Sequence, residues 1–424
     1  MFEWSDTDLM VRDAVRTFID KEVRPNLDAL DSGEMLPYPV LRKLYADFGI
    51  GAMAEEALHK QLAAKQAAAK GTGGTDGTDG TDGTEKPAAE RSGSGFDQQS
   101  MMAVLTSELS GVCMGLCSSL GVSTGLGGAT ILSRGTLAQQ QRWVPDIVSL
   151  RKIACWAITE PDSGSDAFGG MKTYVRRDGD DYILNGQKTF ITNGPFADTL
   201  VVYAKLDEGD GTPSRDRKVL TFVLDKGMEG LTQGRPFKKM GLHASPTGEL
   251  FFDNVRLGRD RLLGETEEHR GGDGRESAKS SFVAERVGIG FMALGVINEC
   301  LRLCTDYARD RKLWGQEIGR FQLIQLKLAK MEVARINVQN MVFNIIERAK
   351  AGKPLSLSEA SAVKLYSSEV ATEVAMEAVQ LFGGNGYMSE YRVEQLARDA
   401  KSLMIYAGSN EIQVTHVAKG LLGS

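Results

Sequence analysis

The sequence predicts an α+β multidomain protein with an N-terminal helical domain, a middle β-barrel-like domain and a C-terminal helical bundle. Three observations lead to this prediction. Apolar residues recur about every 3.6 positions before residue 150, alternate with polar residues between 174 and 255, and return to helical spacing after 282. The chain has 424 residues, 42% of them apolar, which is enough to bury several cores. We therefore expect domains at residues 1–150, 151–265 and 280–424.

The N-terminal domain is predicted from two helical stretches, residues 6–48 and 98–148, that share this apolar spacing. Residues from about 60 to 95 interrupt the pattern. There an Ala/Lys/Gln run leads into Gly-Thr-Asp repeats, with almost no apolar residue after Ala69. Because such a segment cannot bury a core, we expect a mobile loop or an inserted linker.

The middle domain is predicted from short strands separated by turn signals. Residues 174–184 form two alternating runs around Asp178-Gly179, which is typical of a β-hairpin. Further strands are expected at 199–204, 219–224 and 249–255. After residue 282 long helical segments resume, and glycine clusters punctuate them.

Composition and charge argue against several classes of protein. The net charge is −6 and no long basic run occurs, which argues against a nucleic-acid partner. The longest strongly apolar run, 287–297, is too short to span a bilayer, and the N-terminal residues are unlike a secretory signal. We interpret the pairs Cys113/Cys117 and Cys300/Cys304 as buried apolar residues in a reducing compartment, and not as metal half-sites. A cytoplasmic protein is expected.

The most specific signal lies in three segments near the C-terminus, namely Gly383 to Tyr387, Arg398 to Ala400 and Ile405 to Gln413. Together they resemble the C-terminal signature of the acyl-CoA dehydrogenases, and the resemblance covers nearly the whole chain except residues 52–97. Most members of that family carry their glutamate base where this chain has Ala407. A minority, including the isovaleryl and long-chain branches, places the glutamate on an earlier helix. Glu285 stands at the matching place.

Two loops of the middle domain, 156–166 and 188–194, resemble the flavin-binding motifs of that family. Each is a short strand followed by a turn rich in Gly, Ser and Asp, whose hydroxyl and N–H groups can meet a polar ligand. Either motif alone could be an ordinary loop, but their matched order and spacing favour FAD. By the resemblance, Thr159 bonds the pyrimidine end of the flavin, Thr192 reaches its N5 region and Phe190 packs on the ring. The other expected contacts are Trp156, Ile158, Gly164 and Ser165, the last at a phosphate.

A third match, Arg311 to Gln316, resembles the element that reaches the cofactor of a neighbouring subunit. An arginine fork suits a pyrophosphate, and Trp314 offers a flat face for adenine. On its own, Arg311 could equally be a solvated helix end. The resemblance assigns further FAD contacts to Gln322, Gln380, Gly383, Gly384, Ser409 and Glu411. A shared cofactor implies a homo-oligomer, a dimer of dimers. The chain lacks the Gly-x-Gly-x-x-Gly expected of a nicotinamide-binding domain.

The candidate base, Glu285, heads an otherwise apolar helical stripe that includes Ile289, Met292 and Val296. A buried glutamate has a raised pKa, which suits a general base acting near neutrality. The alternative is that Glu285 lies in the first turn of its helix and remains in water. The resemblance gives Ala407 a remaining role, because its backbone N–H can still donate to the thioester oxygen.

Substrate contacts are expected from Ser165, Arg286, Tyr406, Gly408, Cys117 and Gly121. Positions 113, 117, 121 and 125 are Cys, Cys, Gly and Gly, a stripe of small residues along the predicted helix 112–124. Such a stripe leaves room for a medium-to-long or branched acyl chain. Close helix packing explains it equally well.

The resemblance implies FAD-dependent α,β-dehydrogenation of an acyl-CoA thioester to the trans-2-enoyl-CoA. Glu285 would remove the α-proton, and hydride would pass to flavin N5. Electron-transferring flavoprotein is the expected electron acceptor. Two alternatives stay open, a catalytically silent acyl-CoA- or flavin-binding subunit and a flavin oxidase or monooxygenase on the same scaffold.

Overall fold

The computed structural model describes residues 3–71, 98–268 and 273–423. Its N-terminal domain is helical, as predicted. The helices are α1 (Asp6–Phe18), α2 (Leu27–Ser32), α3 (Tyr38–Asp47), α4 (Ile50–Gly71), α5 (Gln98–Leu120), α6 (Ala129–Arg134) and α7 (Leu137–Val148). A π-helical segment, Ile19–Val23, and a 3-10 turn, Arg24–Asn26, connect α1 to α2. The N-terminus of α1 is fixed by a capping box between Ser5 and Asp8.

Helix α4 differs from the sequence prediction, which placed an irregular segment from about residue 60. The helix continues to Gly71, and its side chains Leu58 and Leu62 are buried against Trp143 and Val144 of α7. The Ala/Lys/Gln run has high helix propensity, and two leucines spaced four apart are sufficient to anchor one face. The predicted loop from 72 to 95 lies outside the described residues.

The middle domain is a curled seven-stranded sheet. Its strands are β1 (Ala154–Ala157), β2 (Tyr174–Asp178), β3 (Asp181–Thr192), β4 (Thr199–Leu206), β5 (Val219–Asp225), β6 (Leu231–Gln233) and β7 (Thr247–Leu257). The sheet order is β1-β4-β2-β3-β7-β6, and β5 pairs with the other edge of β4. The predicted hairpin is confirmed, because Asp178 pairs with Asp181 across a two-residue turn.

The C-terminal domain is a bundle around the long helix α8 (Gly274–Asp310). After a small hairpin, β8 (Lys312–Leu313) and β9 (Gln316–Glu317), it continues with α9 (Gln322–Lys350), α10 (Leu357–Phe382), α11 (Val393–Ser402) and α12 (Asn410–Leu422). Ile289, Val296 and Cys300 of α8 are completely buried against α9 and α10. This apolar contact places the N-terminal third of α8 beside the turn that precedes α12.

Two helical stretches, Gln99–Arg134 and Ser281–Asp310, are long and apolar enough to cross a membrane by length and composition. Within the most apolar part of each stretch, 72% and 56% of the residues are buried in the fold, as in core helices. All five cysteines are buried and free, as the interpretation of the cysteine pairs expected. Burial raises the pKa of the Cys113 thiol to about 12, so this thiol stays protonated and packs as an apolar group.

The three domains meet around α11. The Asp399 carboxylate accepts a hydrogen bond from the backbone N–H of Leu242 in the middle domain at 2.6 Å. Arg398 donates to Asp31 of α2 at 2.8 Å and to the carbonyl of Met240 at 3.2 Å. These contacts hold the end of α11, and hence the following turn, against both other domains.

Candidate active site

Glu285 lies in α8 about three turns after the first residue, Gly274, so the alternative of a solvated first-turn position does not apply. Its side chain is partly buried, and the charges of Arg286 and of Lys364 on α10 lie near enough to act on its carboxyl group. Burial raises the pKa of Glu285 to about 7, although the positive charges of Arg286 and Lys364 act to lower it. A carboxyl group with this pKa can accept a proton near neutral pH and release it again.

The turn between α11 and α12 lies beside this carboxylate. Ala407 and Gly408 both adopt left-handed conformations, with φ of 58° and 80°. Gln413 of α12 holds the turn by donating to the carbonyl oxygens of Ala407 at 3.1 Å and Gly408 at 2.7 Å. Within the part of the chain that the structure describes, the backbone N–H of Ala407 has no acceptor. This N–H is available to a ligand oxygen.

Tyr406 connects the turn to the α8 stripe. Its hydroxyl group lies 3.8 Å from the sulfur of Met292, one of the residues predicted to share a face with Glu285. Burial raises the pKa of Tyr406, and the nearby Glu285 adds to that effect, so the phenol stays neutral. The structure therefore brings together Glu285, Tyr406 and the Ala407–Gly408 turn.

Arg286 lies behind Glu285 and is only 2% exposed. It donates from Nη1 to Ser361 of α10 at 2.9 Å, and its Nε has no hydrogen-bond partner among the described residues. A Cβ atom at Gly408 would lie 3.5 Å from Arg286 Nη2, so the guanidinium also packs against the turn. These contacts are internal to the protein, and a direct contact between Arg286 and substrate stays a prediction.

The two flavin-like loops lie side by side at one end of the sheet. The N–H of Thr189 donates to the Thr159 carbonyl at 2.9 Å, which joins the first loop to β3. Beneath them, the buried Lys188 donates to the carbonyl of Ile158 at 2.9 Å and to Glu160 at 2.8 Å. Burial lowers the pKa of Lys188 to about 8. This ion pair fixes the backbone from which Thr159 projects.

Several exposed or unpaired groups at these loops fit an aromatic, phosphate-bearing cofactor. Trp156 Nε1 is buried and has no partner among the residues described, and its ring contacts Phe282 of α8 at 5.9 Å. Phe190 is 66% exposed and has a φ of 57°, an unusual conformation that turns an apolar ring towards solvent. Gly164 and Ser165 form an open turn in which a Cβ at Gly164 would meet no atom within 4 Å. These features fit a flavin. The assignment of FAD contacts to Trp156, Ile158, Thr159, Gly164, Ser165, Phe190 and Thr192 stays a prediction.

The second set of predicted cofactor residues lies far from the first within one chain. Arg311 ends α8, and Trp314, which is 87% exposed, tops the β8–β9 hairpin. Tyr307 stacks on Phe382 at 4.0 Å, which joins this end of α8 to the Gly383–Gly384 turn. Gln322 and Gln380 are exposed in the same region. From Phe282 to Arg311 the helix rises about 44 Å at about 1.5 Å per residue.

Ser409 and Glu411 lie at the start of α12. Hydrogen bonds from its own backbone N–H and from Ser409 lower the pKa of the Glu411 carboxyl group, which is exposed. This carboxylate is ionised and solvated, as is common in a first helical turn. It lacks the enclosure that raises the pKa of Glu285.

The predicted stripe of small residues is not one continuous helical face. Helix α5 has non-helical geometry at Cys113, with φ of −147° and ψ of 86°, and a π-helical segment, Gly121–Gly128, follows it. Cys113 and Cys117 are buried, whereas Gly121 and Gly125 are exposed and a Cβ at either would meet no atom within 4 Å. Close packing within the described chain therefore does not explain the two glycines.

Sequence analysis missed Lys364, Phe282 and the Glu160–Lys188 pair. Lys364 shares a face of α10 with the buried small residues Ala360, Ser367 and Ala371. A lysine among small buried residues at helical spacing is a detectable signal, because lysine is rarely buried without a partner.

Comparison with known proteins agrees with this geometry. The acyl-CoA dehydrogenase N-terminal, middle and C-terminal domains match residues 80–151, 155–255 and 272–422. An acyl-CoA dehydrogenase of Bacillus subtilis is 32% identical over 415 residues, covering 98% of each chain. The caffeyl-CoA reductase-Etf complex subunit CarC of Acetobacterium woodii is 31% identical over 426 residues, covering 99% of each. The structure of butyryl-CoA dehydrogenase from Megasphaera elsdenii covers all of both chains, with a TM-score of 0.82 and 29% identity. The chain therefore belongs to the acyl-CoA dehydrogenase family and is an FAD-dependent oxidoreductase of acyl-CoA thioesters.

Proposed function

We propose that this enzyme oxidises an acyl-CoA to its trans-2-enoyl-CoA with Glu285 as the catalytic base. The observation that carries the proposal is the pairing of an enclosed carboxyl group, whose pKa is about 7, with the open Ala407 N–H on the neighbouring turn. Ala407 cannot act as an acid or a base. Asp399 of α11 is also buried and has a raised pKa, but its carboxylate is engaged by the backbone N–H of Leu242 at 2.6 Å.

The steps assigned to the protein follow from these positions. Glu285 accepts the proton from Cα of the thioester, and negative charge develops on the thioester oxygen. The N–H of Ala407 donates to that oxygen, which stabilises the enolate-like transition state because the donor is already oriented. Tyr406 and Met292 exclude water from the reacting carbons. Bound FAD supplies the hydride acceptor.

The silent-subunit alternative requires a site without a base, and the enclosed Glu285 argues against it. For the electron acceptor, we favour electron-transferring flavoprotein, because a relative aligned over 99% of this chain is a subunit of a reductase-Etf complex. An oxidase or monooxygenase would instead pass its electrons to oxygen. Measuring reoxidation of the reduced enzyme by air and by electron-transferring flavoprotein separates these alternatives.

A homo-oligomer, a dimer of dimers, is supported by the length of α8. The flavin-like loops contact its N-terminal part, while Arg311 and Trp314 lie about 44 Å further along it. Within one chain this distance is too long for a single FAD to reach from the loops to Arg311. If Arg311 holds a cofactor, that cofactor must be bound by the loops of another subunit. The exposed apolar residues of α9, Leu323, Leu326, Val333 and Ile336, give a second copy a surface to cover.

We place the enzyme in the cytoplasm, since its five cysteines are all unpaired. We also propose that the open space at Gly121 receives the end of a medium-to-long or branched acyl chain. Neither inference changes the chemistry assigned to Glu285.

The decisive experiment is anaerobic mixing of the flavin-loaded enzyme with a panel of straight and branched acyl-CoAs, followed by flavin bleaching. We expect reduction by at least one thioester and a loss of about 10²- to 10⁴-fold in the reduction rate for Glu285→Gln. Flavin content should be unchanged, because Glu285 makes none of the expected FAD contacts. If the variant keeps more than half of the wild-type rate, Glu285 is not the base.

A further inference from the structure

Lys364 is a charged side chain of α10 with no exposed surface. Its Nζ donates to the carbonyl oxygen of Gly408 at 2.9 Å and to Oδ1 of Asn410 at 2.7 Å. Both acceptors belong to the turn that carries Ala407 or to the helix start directly after it. Burying an ammonium group is costly, so its contacts are expected to matter for the site that they support.

The turn that Lys364 holds has a conformation that requires support. A non-glycine residue with positive φ, such as Ala407 at 58°, is strained. The Gly408 carbonyl accepts from Lys364 and also from Gln413 Nε2 at 2.7 Å, so two donors fix its direction. The peptide unit of this carbonyl is the second one after the unit that contains the Ala407 N–H, and both residues between the two groups have positive φ. Fixing the carbonyl therefore restricts the turn that orients the N–H.

Charge is the second contribution of Lys364. With Arg286 it places two buried cations beside one carboxyl group, and both act to lower the pKa of Glu285 against the effect of burial. Burial and the charge of Arg286 lower the pKa of Lys364 to about 8, while nearby carboxylates act to raise it. When Glu285 takes up a proton, both cations lose their counter-charge. The site therefore favours negative charge on a bound ligand at that step.

We propose that Lys364 is a positioning residue of this active site, holding the turn that presents the Ala407 N–H to the thioester oxygen and placing a positive charge near Glu285. The inference rests on the proposed role of Glu285. Other charged or titratable groups near Lys364 and Glu285 also contribute to the pH dependence of the reaction. They are Glu369 on α10, Tyr406 on the turn, and Glu411 and His416 on α12.

Three substitutions separate geometry from charge. Lys364→Gln retains a donor for Gly408 without the charge, Lys364→Met removes both, and Lys364→Arg keeps the charge. Lys60→Met is the matched control, since Lys60 is a solvated lysine of α4 that pairs with Glu56. The measurement is the rate of flavin reduction by the best acyl-CoA from pH 5.5 to 9, with flavin content and melting temperature recorded for each variant.

We expect the acidic limb of the pH profile to move upward by about one pH unit in Lys364→Gln and Lys364→Met, because a nearby cation no longer favours the carboxylate. The plateau rate of Lys364→Met should also fall by about 10²-fold, as expected for a misplaced oxyanion donor. In Lys364→Arg and Lys60→Met the acidic limb of the pH profile should lie where it does in the wild type. A second readout is the affinity for a 3-ketoacyl-CoA, whose acidic α-proton can pass to Glu285 and leave an enolate in the site. Its pH dependence should shift in the same two variants.

If the acidic limb of Lys364→Gln coincides with that of the wild type, the proposal is wrong, even if the variant is slower or less stable. Should Lys364→Met not fold, Lys364→Gln and Lys364→Arg still decide the matter. Failure of the proposed function gives a different result. In that case the wild type shows no flavin reduction by any acyl-CoA, or Glu285→Gln keeps the acidic limb of the wild-type pH profile.

Discussion

Replacing Glu285 by glutamine should make the enzyme both inactive and more stable at alkaline pH. The folded protein raises the pKa of Glu285 from its ordinary value of 4.5 to about 7. Below pH 4.5 the carboxyl group is protonated in the folded and unfolded chains, so it has no effect on stability. As the pH rises from 4.5 to 7, the unfolded chain releases its proton first, which favours unfolding. Above pH 7 this destabilisation is complete.

The expected size of the effect follows from that pKa change. It corresponds to about 3 kcal/mol in the free energy of unfolding at pH 8, at about 1.4 kcal/mol per pKa unit. Glutamine has a similar shape and never ionises, so Glu285→Gln removes this cost. With an unfolding entropy of about 2.1 cal/mol/K per residue, this gain in the free energy of unfolding corresponds to a rise of about 3 °C in Tm for a chain of this length. Tm should be measured by calorimetry on the flavin-loaded protein from pH 4.5 to 8.5.

Glu359→Gln provides a control of opposite sign. Hydrogen bonds from Arg348 and from Ser356 lower the pKa of Glu359 to about 2. This carboxylate therefore stabilises the fold above about pH 4.5, and that effect is lost only as the pH falls towards 2. Glu359→Gln should be less stable than the wild type by a nearly constant amount from about pH 5 to 8.5. The Tm difference between Glu285→Gln and the wild type should be larger at pH 8 than at pH 4.5. If it is not, the folded protein does not raise the pKa of Glu285, and its identification as the base is no longer supported.

Three further predictions concern the cofactor, the acyl chain and the N-terminal domain. Arg311→Ala should reduce both the flavin-to-protein absorbance ratio and the molar mass measured by light scattering; a variant unchanged in both would exclude a cross-subunit role. Gly121→Leu should fold normally, since its Cβ meets no atom within 4 Å, and should shift kcat/KM towards shorter acyl-CoAs by about 1 to 3 kcal/mol per lost methylene contact. An unshifted profile would leave the space without a role in substrate selection. Deleting residues 72–92, which contain no apolar side chain larger than proline, should change Tm little, whereas Leu62→Ala should cost about 2 to 5 kcal/mol. A large loss of Tm in the deletion would mean that the segment packs.

Much of the architecture is determined by the sequence alone, because hydrophobic periodicity is a local property. The change from helical spacing to alternation marks the middle domain, and the Asp178-Gly179 turn sets the hairpin register that the structure confirms. The candidate base follows from the family resemblance. Ala407 in a motif that usually carries glutamate led to the carboxylate at the head of the α8 stripe. The end of α4 was misplaced, since alanine, lysine and glutamine fit a helix as well as a linker.

Only the tertiary structure decides what surrounds Glu285. Its pKa depends on burial in the folded protein and on two cations, one of which, Lys364, lies 79 positions further along the chain. No sequence spacing encodes that distance. The same holds for the separation of the two predicted cofactor motifs along α8, on which the proposed shared site rests, and for the contact of Trp156 with Phe282. Residue types and their local order specify which chemistry is available. Long-range packing decides which of those groups meet, because desolvation and Coulomb interactions depend on distance in space and not on distance in sequence.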